Sequence, residues 1–294
     1  MKILVTGANG QVGWELSRRG ARKGYHILAL DRATLDITDP VAVNREVSGS
    51  GASLVVNGAA YTAVDQAESE PELAFAVNRD GPAYLASACA EANIPLVHIS
   101  TDYVFDGEKE SPYLETDKIS PLGVYGRSKA AGEKEVRKLW DKHLILRTAW
   151  VYGVHGGNFV KTMLRLGRER EMIQVVADQY GCPTYAADLA DAILNVASQF
   201  LQGRKIAWGT YHYCGKGVIS WYGFAEAIFA VAADYVTLKV RKVEPISTAD
   251  YPTPAKRPAN SVLDCALAEK SFGIVTKPWN ESLARMVQQV FSNE

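Results

Sequence analysis

Short apolar runs alternate with amphipathic stretches through the first half of this chain. Lys2-Ile3-Leu4-Val5-Thr6 is rich in β-branched residues, and residues 25–30, 54–57, 95–100 and 143–147 repeat the style. Uninterrupted apolar runs of this length predict strands buried on both faces, as in a parallel sheet. Between them, residues 14–23, 71–93 and 121–139 carry helical character, with 71–93 divided near Asp80-Gly81-Pro82. Strand and helix alternating for about 150 residues predict right-handed β-α-β crossovers. The expected class is α/β, a doubly wound parallel sheet. After Trp150 the rhythm weakens. Residues 158–170, 186–200 and 222–233 read as helices, and 173–177 and 211–213 as strands. Residues 246–260, with Pro245 just before them and Pro252, Pro254 and Pro258 within, read as a long loop, which in a compact enzyme is usually functional or mobile.

The first strand runs straight into Gly7-Ala8-Asn9-Gly10-Gln11-Val12-Gly13, and a helical stretch follows. Strand, glycine-rich turn and helix N-terminus are the context that a dinucleotide-binding fingerprint requires. The glycines allow a tight turn and close backbone approach, and free helix N–H groups receive a pyrophosphate. The second strand ends in Asp31, an acid placed to hold the adenosine ribose hydroxyls and to repel a 2′-phosphate. Arg32 beside it has the opposite preference, so NADPH and NADH both stay open. The sheet is thus expected to be of the Rossmann type. Residues 1–149 form the dinucleotide-binding domain, with segments around 174–200 returning to it. Residues 150–294 form a smaller C-terminal α/β substrate domain.

Composition removes several alternatives. In 294 residues, 47% are hydrophobic and 22% charged, ordinary values for a soluble enzyme. The formal charge of −1 gives no support to a nucleic-acid or membrane-surface role. The first strand starts at residue 2, no apolar run spans a bilayer, and a cytoplasmic protein is expected. Cysteines 89, 182, 214 and 265 are scattered and read as single buried thiols. Neither they nor histidines 26, 98, 143, 155 and 212 show ligand spacing, so no catalytic metal is expected.

The candidate chemistry lies in Ser120-Pro121-Leu122-Gly123-Val124-Tyr125-Gly126-Arg127-Ser128-Lys129. Ser120 is a plausible N-cap and Pro121 suits the first helical position. Tyr125 and Lys129 then project from one helix face. An ammonium beside the phenol would move its pKa down from about 10, toward the range of a general acid or base. Ser100-Thr101-Asp102 ends a predicted strand, where open parallel sheets bind ligands.

Together these segments resemble the extended short-chain dehydrogenase/reductases, and among them the dTDP-4-dehydrorhamnose reductase family of bacterial rhamnose synthesis. The resemblance rests on an ordered set that runs through most of the chain. Gly10 to Leu16, Ala63-Val64-Asp65 with Glu68-Ser69-Glu70, and Ser100 to Phe105 come first. Tyr125 to Lys129, Arg147 to Tyr152, Asn158-Phe159, Asp178 to Gly181, Arg257-Pro258 and Asn260-Ser261 follow. The family reduces the C4 ketone of a nucleotide-activated 6-deoxy-hexulose with hydride from a nicotinamide. The resemblance implies that Tyr125 protonates the C4 alkoxide, and that Lys129 holds the nicotinamide ribose and lowers the tyrosine pKa. Thr101, where many relatives carry serine, would orient and polarise the carbonyl. Asp102 and Trp150 would contact the sugar or shape its pocket, and Arg257 would pair with the substrate diphosphate. Gly10, Gln11, Val12, Asp31, Asp36, Ile37, Ala60, Tyr61 and Thr62 match the cofactor-contacting segments, Asp36-Ile37 near the adenine.

The same residues bear on other functions. Sugar-nucleotide 4,6-dehydratases need Glu at the position of Tyr103, which argues against dehydration. A 4-epimerase uses a similar Tyr/Lys pair. A non-enzymatic relative, the regulatory subunit of methionine adenosyltransferase, departs around residues 147–152, where this chain keeps Thr148 and Trp150. A homodimer is common in the group. Some members bind magnesium at a subunit interface; Glu15 matches one ligand position, but Ala187 stands where another is expected.

Overall fold

Every strand of the central sheet runs parallel. A computed structural model describes residues 1–292. Its six strands lie in the order Gly209–His212, His143–Thr148, Leu96–Thr101, Leu54–Asn57, Lys2–Thr6 and His26–Leu30. The register sets Thr6 beside Asn57, Asn57 beside His98, and Thr101 beside Thr148. Chain order reverses between Lys2–Thr6 and Leu54–Asn57, so the crevice for a ligand opens there.

Burial on both faces explains the apolar runs. On one face, Ile3, Val5, Val97 and Leu144 pack with Leu189, Ile193 and Leu194 of the helix Ala186–Leu201. On the other, Leu4, Val55 and Ile145 meet Val43, Leu85 and Val136 from three further helices. A second core, with Tyr152, Met163, Ile173, Phe224 and Met286 among its members, gathers residues 152–291. Helix Ala186–Leu201 and strand Gly209–His212 join the large sheet, whereas Met172–Val176 pairs in parallel with Lys242–Ile246 away from it. Among the described residues, no helix is long and apolar enough to cross a membrane.

Three local features differ from the sequence reading. The Tyr125 helix is Val124–Leu139, with Gly123 as N-cap instead of Ser120. Its first N–H donates to Glu68 Oε1 at 2.7 Å, so a carboxylate 56 residues away replaces the local cap. Helices Pro71–Phe75 and Gly81–Glu91 are joined by a π-helical turn, Ala76–Asp80, instead of being separated. Lys242–Ile246 is a strand that ends just past Pro245, which an edge position tolerates.

Candidate active site

Glycines 7, 10 and 13 let the backbone fold onto itself at the switch point. Gly7 has φ +67°, and a Cβ there would lie 2.5 Å from Ala59 N. A Cβ on Gly13 would lie 2.3 Å from Gly7 O. Helix Gln11–Arg22 begins after Gly10 with no side-chain cap, which leaves its first-turn amides to an external anion. Beside this turn is a cleft of about 250 Å³ lined by Gly7, Gly10, Asp31 and Asp36, with Ile37, Ala60 and Tyr61 also on its wall. Gln11, Val12, Gly13 and Thr62 are not on that wall. Val12 packs against the core, and Thr62 is exposed. Gln11 ties the turn to the second half of the chain, accepting from Asn158 Nδ2 at 3.0 Å and donating to Val151 O at 3.3 Å. The cradle of glycines and unpartnered amides fits a dinucleotide.

The adenosine end carries two opposed charges. Asp31 accepts from Thr34 N (3.0 Å), Thr34 Oγ1 (2.9 Å) and Asn9 Nδ2 (2.8 Å), and these bonds hold its carboxyl below the usual range. Arg32 also lines the cleft, is 80% exposed and reaches Asp36 only at 3.9 Å. The carboxylate is fixed and the guanidinium is free to swing.

Tyr125 and Lys129 sit where their helix presses hard on its neighbours. A Cβ on Gly126 would lie 2.1 Å from Tyr103 O, and one on Gly132 would lie 2.0 Å from Asn78 O. Lys129 is 2% exposed and donates to Ile99 O at 2.7 Å. Burial pulls its pKa down to about 8, against the pull of Glu133. The Thr101 hydroxyl is near enough to Tyr125 to act on its phenol. The phenol's pKa is pushed up to about 12, by burial first and then by the charge of Asp102, against the pull of Thr101. The sequence reading expects Lys129 to draw this value down. In the structure the ammonium is engaged by Ile99 O and is not among the groups that set it, and burial wins. A phenol of this kind stays protonated at neutral pH, the state a proton donor needs.

Thr101 also donates to Asp102 Oδ1 at 3.0 Å and accepts from Tyr103 N at 3.2 Å. Asp102 is 3% exposed, and burial raises its pKa to about 6 despite bonds from Ser261 and Thr101. Tyr103 meets Tyr125 edge-on, with centroids 5.4 Å apart. Tyr103 also lines a second, larger cavity of about 710 Å³, together with Phe159, Gln179, Trp221, Tyr251 and Arg257. On its other side, Tyr125 shares the small cluster Ala67, Ala74 and Val124 with Tyr61 of the first cleft. Tyr125 itself, like Thr101, Asp102 and Lys129, lines neither cavity; it touches one residue from the wall of each, Tyr103 and Tyr61.

Of the remaining expected substrate residues, Arg257 lies on the larger cavity and Trp150 does not. Trp150, at φ 49°, stacks on Trp221 with centroids 3.5 Å apart, and it is Trp221 that faces the space. Gly181 makes this possible, since a Cβ there would lie 2.5 Å from the Trp150 ring. Arg257 is held bidentately by Asp65, at 2.7 and 3.1 Å.

Sequence reasoning missed Trp221, which lies at the start of an ordinary amphipathic helix, and Asn78, which sits inside a helical stretch. Asn78 is fully buried. It bonds Tyr61 N and O at 2.9 and 3.0 Å and Ser128 Oγ at 3.0 Å, fastening the cleft loop to the Tyr125 helix. A polar residue at an inward position of an apolar helix was the available signal. Among the described residues no group of three or more His, Cys, Asp or Glu is placed to hold a metal ion. Glu15 faces Arg19 and Arg18 instead, at 2.8 and 3.6 Å.

Comparison with known proteins supplies the family. The sequence model described as "RmlD substrate binding domain" matches residues 1–292. The chain is 47% identical to the dTDP-4-dehydrorhamnose reductase of Aggregatibacter actinomycetemcomitans, covering 96% of this chain and 97% of that one. Its fold is similar to the crystal structure of the Clostridium acetobutylicum dTDP-4-dehydrorhamnose reductase (TM-score 0.92, 42% identity, 99% of each chain). It is also similar to the Bacillus anthracis dTDP-4-dehydrorhamnose reductase solved in complex with NADP (TM-score 0.91, 40% identity, 98% of this chain and 99% of that one). Over its whole length, then, this chain belongs to the dTDP-4-dehydrorhamnose reductase family.

Proposed function

We propose that the protein reduces the C4 ketone of dTDP-4-dehydro-β-L-rhamnose to dTDP-β-L-rhamnose, using NADPH or NADH. The observation that carries this reading is the position of Tyr125. It lies beside Thr101 and between Tyr61, which lines a dinucleotide-fitting cleft, and Tyr103, which lines a cavity large enough for a nucleotide sugar. When bound, the nicotinamide supplies the hydride. Gly7, Gly10 and Gly13 with Gln11 and Val12 receive the pyrophosphate. Asp31, Asp36 and Ile37 hold the adenosine end, and Ala60, Tyr61 and Thr62 flank it. Arg32 swings toward a 2′-phosphate when NADPH is taken.

Thr101, turning its hydroxyl proton away from Asp102, donates to the ketone oxygen and polarises it. Tyr125 gives its phenolic proton to that oxygen as negative charge develops there. Lys129, now donating to Ile99 O, would hold the nicotinamide ribose and stabilise the phenolate left by proton transfer. Arg257, released in part from Asp65, pairs with the substrate diphosphate. Asp102 and the Trp150–Trp221 stack shape the sugar's wall. In this reading residues 1–149, with the returning helix and strand between 186 and 212, hold the dinucleotide, and the rest of 150–294 closes over the sugar. The protein would act in the cytoplasm, in dTDP-rhamnose synthesis for cell-surface polysaccharide, as a monomer or a homodimer.

The test is consumption of NADPH and of NADH in the presence of dTDP-4-dehydro-L-rhamnose, with the product identified as the 4-hydroxy sugar. Turnover with either cofactor is expected. No turnover with both, under conditions where the cofactors bind, would refute the reading.

A further inference from the structure

Cysteines that are scattered in the sequence come together in the fold. Cys182, Cys214 and Cys265 share one apolar cluster with Val104, Phe105 and Leu263, while Cys89 lies in another core. All four are free thiols. The sulfurs of Cys214 and Cys265 stand 3.5 Å apart, and Cys265 Sγ also accepts from the Cys214 N–H at 3.2 Å. Both thiols face Leu263 O, at 3.6 and 3.9 Å. Cys214 is buried and Cys265 is partly exposed, so Cys265 is the member of the pair nearer to solvent.

The pair joins two different parts of the molecule. Cys214 follows the strand Gly209–His212, and the intervening Tyr213 N donates to Arg147 O at 2.9 Å. Cys265 is the N-cap of the helix Ala266–Phe272 and closes the proline-bearing segment that carries Arg257 and Ser261. The sulfurs therefore connect the fixed end of the sheet to the loop that walls the larger cavity.

We propose that Cys214 and Cys265 are an oxidative modification site, converted by a hydroperoxide into a reversible intramolecular disulfide. The Cys265 sulfur attacks the peroxide O–O bond and becomes a sulfenic acid, releasing one water from hydrogen peroxide. The Cys214 sulfur then attacks the sulfenic sulfur. The S–O bond breaks, and the Cys214 proton leaves with the hydroxide as a second water. Two thiols give two electrons to the peroxide, and one S–S bond forms. Cys265 is the partly exposed member of the pair, and bonds to Cys182 and Cys265, with burial, hold the Cys214 thiol well above the usual range, so the reaction starts at Cys265. An S–S bond is about 2.05 Å long, so the sulfurs must close from 3.5 Å. The sheet holds Cys214, and the loop side moves. Its consequence for the sugar rests on the reductase reading, but formation of the bridge does not.

The test is treatment of the whole protein with hydrogen peroxide, followed by a count of free thiols after denaturation and a map of non-reduced peptides. The expected result is a fall from four free thiols to two, one peptide pair linking Cys214 to Cys265, and full recovery with dithiothreitol. Cys265→Ser, and separately Cys214→Ala, should form no bridge. Four surviving thiols, a bridge between Cys182 and Cys214, or a sulfinic acid on Cys265 without a bridge would overturn the proposal. The count needs no sugar substrate, so its failure is separable from failure of the reductase reading.

Discussion

The cleft beside Gly7 and the cavity beside Arg257 are made of different materials. The first, about 250 Å³, is walled chiefly by the glycine-bearing ends of three neighbouring strands and the loops after them, with two carboxylates, Arg32 and a few apolar side chains. The second, about 710 Å³, is walled by long side chains from residues 103 to 257, and one of its two arginines, Arg257, is already bound to Asp65. A dinucleotide is the same in every enzyme that uses it, so a short local motif suffices to hold it. A sugar nucleotide must be told from its relatives, and the discriminating groups come from far apart in the chain. Tyr125 lies between a wall residue of each, Tyr61 and Tyr103, and substitutions on the two sides should have separable effects.

The largest expected effect is on Tyr125 itself. Tyr125→Phe should lower kcat by about 10²–10⁴-fold, the usual worth of a positioned proton donor, while cofactor affinity and thermal stability stay near those of the parent. Full activity in this variant would remove the proposed acid. Gly13→Val and Arg257→Ala come next as a pair. A Cβ 2.3 Å from Gly7 O overpacks the turn, so Gly13→Val should weaken cofactor binding by about 10–100-fold and leave the sugar site intact. Arg257→Ala should raise the KM for the sugar nucleotide by about 10–100-fold, as for loss of charged hydrogen bonds, with kcat and cofactor affinity little changed. Effects that cross between the two sides would merge the cavities into one cooperative unit. Titration by fluorescence for the cofactor and steady-state kinetics for the sugar separate the outcomes.

Smaller effects follow from the two shifted groups. Lys129 loses its proton near pH 8 in the free protein. If its ammonium holds the ribose, cofactor affinity should fall about tenfold per pH unit above that value, and be flat below it. Affinity that is level from pH 7 to 9 would exclude that role. Asp102 has the opposite sign of charge. Its pKa rises to about 6 on folding, so the folded state holds the proton more tightly, and stability falls as pH rises from about 4 to 6. The deficit persists at neutral pH. Asp102→Asn should therefore stabilise the fold by about 1–2 kcal/mol at pH 7, after allowance for the weakened Thr101 bond, and by almost nothing at pH 4. Urea denaturation at the two pH values measures the difference.

Local periodicity and motif spacing made the sheet readable. The runs at residues 2–6, 54–57 and 143–147 are apolar because both faces are covered, and they match Lys2–Thr6, Leu54–Asn57 and His143–Thr148 closely. Helix ends were harder. The sequence offers Ser120 and Pro121 as the start of the Tyr125 helix, but Glu68 caps it at Val124. The π turn around Asn78 has no local signature, because its reason is the close approach of Gly132 and Tyr61.

By itself, the sequence determined the dinucleotide side: a strand, a glycine turn, a helix and an acid within residues 2–31, each acting on its near neighbours. It also placed Tyr125 and Lys129 one helical turn apart. Tertiary structure decided the rest. It paired Arg257 with Asp65 across 192 positions, put Trp221 in front of Trp150, and gathered three thiols from residues 182, 214 and 265. It also turned Lys129 to Ile99 O and raised the Tyr125 phenol to about 12. Spacing along a helix fixes direction and reach. Solvation depends on everything packed around a group, and it exists only once distant segments have met.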